Sequence, residues 1–249
     1  AGGVLFELDY LPISWNYLDT LARRRESYHT SEVEARGYDS HPRKSFVDHF
    51  FDAGATVDDF HRAAAEERGT FVDEIYRRDD GKRDTHVVAL SVTGSVQTDD
   101  GNQTVRIAKR FGFKRSTIDV DYTIENASDH RLRTTFAPEL NFAFLSQEVD
   151  SLRLFVSAGK AKPQEIGPEA QRVPAAGTVR LDDLVNGTTL TLSLASETEL
   201  WMAPVETVSH CPEGLETRYQ STSVVPRYPI DLDPGASFST TISVGIERS

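Results

Sequence analysis

The chain has 249 residues, a formal net charge of −12 and 38% hydrophobic residues, including 13 Phe and 8 Tyr. That apolar content supplies a sizeable core and excludes a disordered chain. The acidic balance excludes phosphate backbones as partners, and no apolar run approaches the roughly 20 residues that span a bilayer. One large all-β domain over residues 1–249 fits the length best, and the single cysteine, Cys211, excludes an internal disulfide and suits a cytoplasmic setting.

Residues 2–10 read as a short strand and run at once into a dense polar and aromatic segment that ends at Tyr28 and His29. A chain that begins in mid-stride like this reads as a fragment of something longer. Trp15, Leu18 and Ala22 fall at helical spacing, which predicts a short helix or turn over 15–23. Arg23 to Arg25 form a basic cluster flanked by Asp19 and Glu26, the pattern of a solvated or ion-paired face. Residues 28–69 are an excursion rich in charge and histidine. Within it, 57–68 starts with acids, holds three alanines and stops at Gly69, the marks of a helix.

From about residue 85 the pattern changes to period two. Ile118, Val120, Tyr122 and Ile124 alternate with polar neighbours, as do Val105 and Ile107, then Leu152 to Val156, Leu190 to Leu194 and Ile242 to Ile246. Such strands have one buried and one wet face, as in antiparallel sheets. Gly101 and Gly187, each beside Asn or Asp, supply the positive φ of tight hairpins, and 126–129 is another turn. Prolines at 163, 168 and 174, and again at 226, 229 and 234, read as longer connections or edge stops. Many strands with one or two short helices in the N-terminal third predict a large antiparallel β-sandwich.

Chemistry is harder to read. Glycosidic hydrolysis needs two opposed carboxylates, and with 39 acids mere presence decides nothing. Glu139 and Asn141 are more specific: two polar side chains on one face of an otherwise apolar strand can grip sugar hydroxyls or a calcium ion, or simply fix a loop by hydrogen bonds. Asp48 and His49 form a polar pair enclosed by Phe46, Val47, Phe50 and Phe51. The seven histidines show no zinc-type spacing, so no metal site is expected. No cofactor is expected either, and the one ion for which there is room is a structural calcium. Trp15, Tyr17, Tyr28, Trp201, Tyr219 and Tyr228 are the aromatic candidates for stacking on sugar faces or for an interface; the settings of Trp201 and Tyr228 favour partial exposure.

Three segments carry a family resemblance. They are Gly2-Gly3 through Glu7 to Tyr10 with Asn16, Leu18, Thr20, Leu21, Arg23-Arg24 and Tyr28-His29; Arg43 to Phe46 with Asp48 to Phe50; and Pro204 to Ser209, Glu213 to Glu216, Tyr219-Gln220 and Pro226 to Pro229. Together they resemble the C-terminal domain of family 57 glycoside hydrolases of the α-amylase/4-α-glucanotransferase type. The resemblance implies a supersandwich of galactose-mutarotase-like fold that follows a (β/α)7 barrel. In that family the barrel carries both catalytic carboxylates, so the chain is expected to lack them and to pack against the barrel, with residues 2–69 facing it. An α-1,4-glucan is then the expected partner, bound or oriented by a non-catalytic domain. A purely structural scaffold is the alternative, and an aldose 1-epimerase-like enzyme with Glu139 as base is the third reading, although no histidine stands out in the sequence as its partner acid.

Overall fold

In the computed structural model of the chain, residues 2–25, 37–79, 84–211 and 214–249 are described, the side chains of 209–211 excepted. Tyr28 and His29, and the thiol of Cys211, lie outside the described residues. The strands in chain order are β1 (Asp9–Tyr10), β2 (Trp15–Asn16), β3 (Val47–Phe51), β4 (Arg77–Arg78), β5 (Val87–Thr98), β6 (Gly101–Phe113), β7 (Thr117–Asn126) and β8 (Leu132–Phe142). They continue as β9 (Leu152–Ser157), β10 (Gln164–Ile166), β11 (Gln171–Asp183), β12 (Thr188–Cys211), β13 (Gly214–Leu232) and β14 (Ser237–Arg248). One helix, α1 (Val57–His61), follows β3.

Every strand pairing is antiparallel. A large sheet runs in the order β10-β9-β11-β12-β14-β7-β6-β5-β4, while β13, β8 and β3 extend from β12 in the other direction. The long strand β12 joins the two layers: Thr188 to Leu194 pair with β14, and Glu199 to Cys211 pair with β13. Alternation then fills the space between the layers. Leu132, Phe136, Leu140 and Phe142 of β8 meet Val120, Tyr122 and Ile124 of β7 in one core, and burial along β7 alternates as its sequence requires.

The expected hairpins form. Gly101 has φ 100° at the β5–β6 turn and Gly187 has φ 60° before β12. The prolines at 226 and 229, expected to stop a strand, lie inside β13, opposite Leu200 and Thr135. Pro226 falls where β13 and β8 are unpaired, between Val224 and Tyr228, so its missing N–H breaks no bond to β8, whereas Pro229 sits within the β13–β8 register.

Two short helices do form in the N-terminal third, the 3-10 turn Leu11–Ile13 and α1, although their positions and lengths differ from those expected. The range 15–23 holds no helix: Trp15 and Asn16 form β2, which pairs with β1 around the 3-10 turn Leu11–Ile13, and a turn follows at 17–18. The side chain of Asn16 accepts from Leu8 N at 3.2 Å and Leu18 N at 2.9 Å, a local side-chain-to-backbone arrangement that competes with helix. The 57–68 helix stops at His61, because Ala63 turns to φ 54° and Arg68 N donates to Phe50 O at 2.9 Å. Pairing with β3 thus overrides three alanines. What survives of the helix is capped by Thr56, which accepts from Asp59 N at 3.2 Å, and it buries Phe60 against Phe51 and Trp201.

The polar N-terminal segment is stapled to the sandwich. Lys109 of β6 is fully buried and donates to the carbonyls of Gly2, Gly3 and Phe46 at 3.0, 3.2 and 2.8 Å, with Asp48 2.7 Å away as its counter-ion. Gly3 has φ 55°, and a Cβ there would lie 2.7 Å from the Tyr76 ring, so only glycine lets the chain pass this close. Among the described residues no helix is long and apolar enough to cross a membrane.

Candidate functional site

Strand β3 pairs with β8 in the register Val47 to Glu139 and His49 to Ala137. Because side chains alternate, Asp48 and Phe50 enter the main core, whereas His49 and Phe51 share the opposite face of the layer with Ala137, Glu139 and Asn141. Residues 37–74 fold over that face. They line a cavity of about 560 Å³, bounded among the described residues by Asp39, Ser40, His41, Arg43, His49, Phe51, Phe60, Glu67, Asp73 and Glu74, with smaller residues between them.

Behind His41, Arg43 and His49, which line the cavity, stands Glu139, whose side chain is wholly buried. Its Oε1 accepts from Arg43 Nη1 at 3.0 Å and from Asn141 Nδ2 at 2.5 Å. Its Oε2 faces His41 Nε2 at 3.1 Å and His49 Nε2 at 2.8 Å. Burial pushes the carboxyl up, but Arg43, His41 and His49 outweigh it and hold it well below the usual carboxylate range.

His49 lies between two acids, since its Nδ1 is 2.5 Å from Glu67 Oε2. Burial alone would push the imidazole down; Glu67 and Glu139 outweigh it and lift it to about 9. Glu67 Oε1 in turn accepts from Phe50 N at 2.9 Å and Gly69 N at 2.8 Å. Arg43 bridges onward to Asp39 at 2.6 Å, which also binds Arg23 at 2.6 Å. Arg23 of the basic cluster is therefore ion-paired. Asn141 is fixed by Ser223, which donates to its Oδ1, and by its own Nδ2 donating to Lys44 O at 3.0 Å.

The structure thus unites His49, Glu139 and Asn141 of the sequence candidates. It adds Asp39, His41 and Glu67, which no motif marked, and Arg43, which stands in a segment of the family resemblance but not among the site candidates; their partners lie up to 98 residues away. It separates Asp48, which pairs with Lys109 in the core and to which Tyr76 OH donates. The aromatic candidates scatter. Trp201 and Tyr228, expected to be partly exposed, are only 1% and 3% exposed. Trp201 stacks on Phe51 with centroids 5.8 Å apart under the Arg227 guanidinium at 4.0 Å, and Tyr228 packs on Phe136 and Phe238 within the sandwich. Tyr17 is also buried, with its hydroxyl donating to Asp183 at 2.9 Å. Trp15 is half-buried and donates to Ala143 O at 3.2 Å; half-buried Tyr219 bonds Thr222 at 2.7 Å. None of the five described aromatics lines the pocket.

Two antiparallel layers sharing one long strand, with a polar site on an outer face, define a supersandwich of the galactose-mutarotase-like class. A galactose mutarotase-like protein from Lactobacillus casei superposes with a TM-score of 0.61 at 11% identity, over 99% of this chain and 94% of that one. More specifically, the sequence matches the family described as Alpha-amylase/4-alpha-glucanotransferase, C-terminal, over residues 1–37 and 33–242, and the chain belongs to that family. Alpha-amylase 1 of Dictyoglomus thermophilum is 25% identical over 97% of this chain and 37% of its own length. The 4-alpha-glucanotransferase of Thermococcus kodakarensis is 26% identical over 92% and 34%. The crystal structure of 4-alpha-glucanotransferase from Thermococcus litoralis superposes with a TM-score of 0.78 at 21% identity, over 98% of this chain and 34% of that one. The chain therefore spans about a third of the length of these relatives.

Proposed function

We propose that this domain binds or orients α-1,4-glucan for a (β/α)7 catalytic barrel preceding it in the same polypeptide, and does not itself break glycosidic bonds. The observation that carries the reading is the pocket over β3 and β8. Its volume of about 560 Å³ lies in the small-ligand range, and it sets the Phe51 and Phe60 rings beside Asp39, Arg43, His49 and Glu67. Apolar rings next to fixed donors and acceptors suit a sugar, whose faces are apolar and whose rim is hydroxyl. The names of the longer relatives supply the glucan.

Absence of catalysis is supported by the saturation of three acids, Glu139, Glu67 and Asp39. Cleavage needs one protonated and one free carboxylate. Here both oxygens of Glu139, of Glu67 and of Asp39 already accept hydrogen bonds or ion pairs. A second reading draws on His41 and His49, since a histidine beside Glu139 is what an aldose 1-epimerase-like site needs. The same saturation opposes it, because no Glu139 oxygen is free to take a sugar proton.

Titration of the chain with maltoheptaose, together with product analysis, tests the proposal. Saturable heat without hydrolysis, transfer or mutarotation is expected. Turnover of maltoheptaose, or of an aldose anomer, by the chain alone would overturn the non-catalytic reading, and no heat at millimolar ligand would leave a scaffold.

A further inference from the structure

Beside the pocket, where His41 and His49 form part of its wall, three metal-donor atoms gather from distant parts of the chain. His41 Nε2, His49 Nε2 and Glu139 Oε2 all lie within 4.8 Å of one another. The two imidazole rings are tilted by 59° with centroids 4.9 Å apart, so their nitrogens converge on one carboxylate oxygen without stacking. The other Glu139 oxygen is taken by Arg43 and Asn141, which fixes the carboxylate and leaves Oε2 as its inward-facing atom.

Each donor also has an outer partner. Glu67 sits on Nδ1 of His49 at 2.5 Å, and Ser40 Oγ lies 3.3 Å from Nδ1 of His41. A carboxylate on the far nitrogen of a histidine is the usual support of a metal ligand, because it fixes the tautomer and raises basicity. His41 and His49 both line the cavity, so a fourth position at this point faces open space. Three protein ligands with one open position characterise zinc sites that carry solvent or substrate, not closed structural ones.

We propose that His41, His49 and Glu139 bind a divalent transition-metal ion of the zinc class at the pocket wall. Two imidazoles and one carboxylate favour such an ion over calcium or magnesium, which prefer shells of oxygen. On uptake, His49 releases its Nε2 proton to solvent and turns that lone pair to the metal, while its Nδ1–H continues to donate to Glu67. His41, whose Nε2–H faces Glu139 before uptake, shifts to the Nδ1–H tautomer, toward Ser40, and turns its Nε2 lone pair to the metal. Glu139 Oε2 exchanges two N–H donors for one cation. The separation of the three residues, at positions 41, 49 and 139, explains why no spacing motif announces the site. The assignment is independent of the glucan reading.

The test uses the metal alone. Chain stripped with chelator is titrated with Co²⁺, read by visible d–d absorption and by metal analysis after gel filtration. About one ion per chain is expected, displaced by Zn²⁺. In His41→Ala, with fold checked by circular dichroism, affinity falls by more than the roughly 10–100-fold that loss of an outer partner costs. X-ray absorption of the zinc-loaded natural chain needs no variant and must give two imidazole ligands and one carboxylate. No bound ion in the stripped chain, undiminished binding by folded His41→Ala, or a shell without imidazole would overturn the assignment. No sugar is present, so failure here leaves the glucan proposal untouched.

Discussion

Asp48 and His49 are neighbours on one strand, both buried and both ion-paired, yet they belong to different parts of the molecule. Asp48 points into the sandwich and meets Lys109, the Tyr76 hydroxyl and the pinned N-terminal chain. Burial pushes Asp48 up and Lys109 down, each resisted by the charge of the other. His49 points to the opposite face, where two acids hold it against a cavity. Burial and charge are common to both places and do not tell structure from function. The adjoining space does, because only the second cluster can be reached by a ligand.

The largest effect is expected on the enclosed side. Lys109→Met leaves Asp48 buried without its cation and frees three backbone carbonyls, at a cost of about 3–5 kcal/mol in denaturant unfolding. Adding Asp48→Asn to that variant restores part of the loss, since the uncompensated charge is gone. A near-native midpoint for Lys109→Met alone would show that the pair does not anchor the N-terminal segment.

Trp201→Ala comes next. Its ring fills the small core with Phe51, Phe60, Ala137 and Val225, and its removal should cost about 3–5 kcal/mol as cavity and lost transfer energy. A variant that kept a native unfolding midpoint but lost glucan heat would instead make Trp201 a sugar platform.

These residues show what could be read in advance. The sandwich was legible because its signal is local: Ile118, Val120, Tyr122 and Ile124 alternate, and Gly101 and Gly187 sit where the turns need positive φ. Glu139 and Asn141 could be picked out as polar residues on an apolar strand. His41, Arg43 and Glu67 could not, because they reach Glu139 and His49 through the chain folding over β8, and nothing periodic records that. The same fold-over shortened the 57–68 helix, when Arg68 bonded Phe50. Trp201 was misjudged because neighbouring residues in sequence do not reveal that Phe51 and Phe60 cover it.

The smallest effect is expected at the surface. Arg131 and Asp231 form a bidentate pair at 2.5 and 2.9 Å on the rim of the sandwich, with half-exposed side chains. Arg131→Ala should leave the unfolding midpoint unchanged within error, because water and salt screen such pairs. A clear loss there would mean that the distinction between enclosed and open charge has been drawn too sharply.

The most direct measurement is calorimetric titration of maltoheptaose into the natural chain, Ser40→Trp and Trp15→Ala. Ser40 is an exposed residue of the pocket wall, so a Trp there obstructs the cavity without touching either core. Saturable binding that Ser40→Trp abolishes and Trp15→Ala retains is the predicted result. Binding unaffected by Ser40→Trp but lost in Trp15→Ala would contradict it and move the glucan surface to the N-terminal segment.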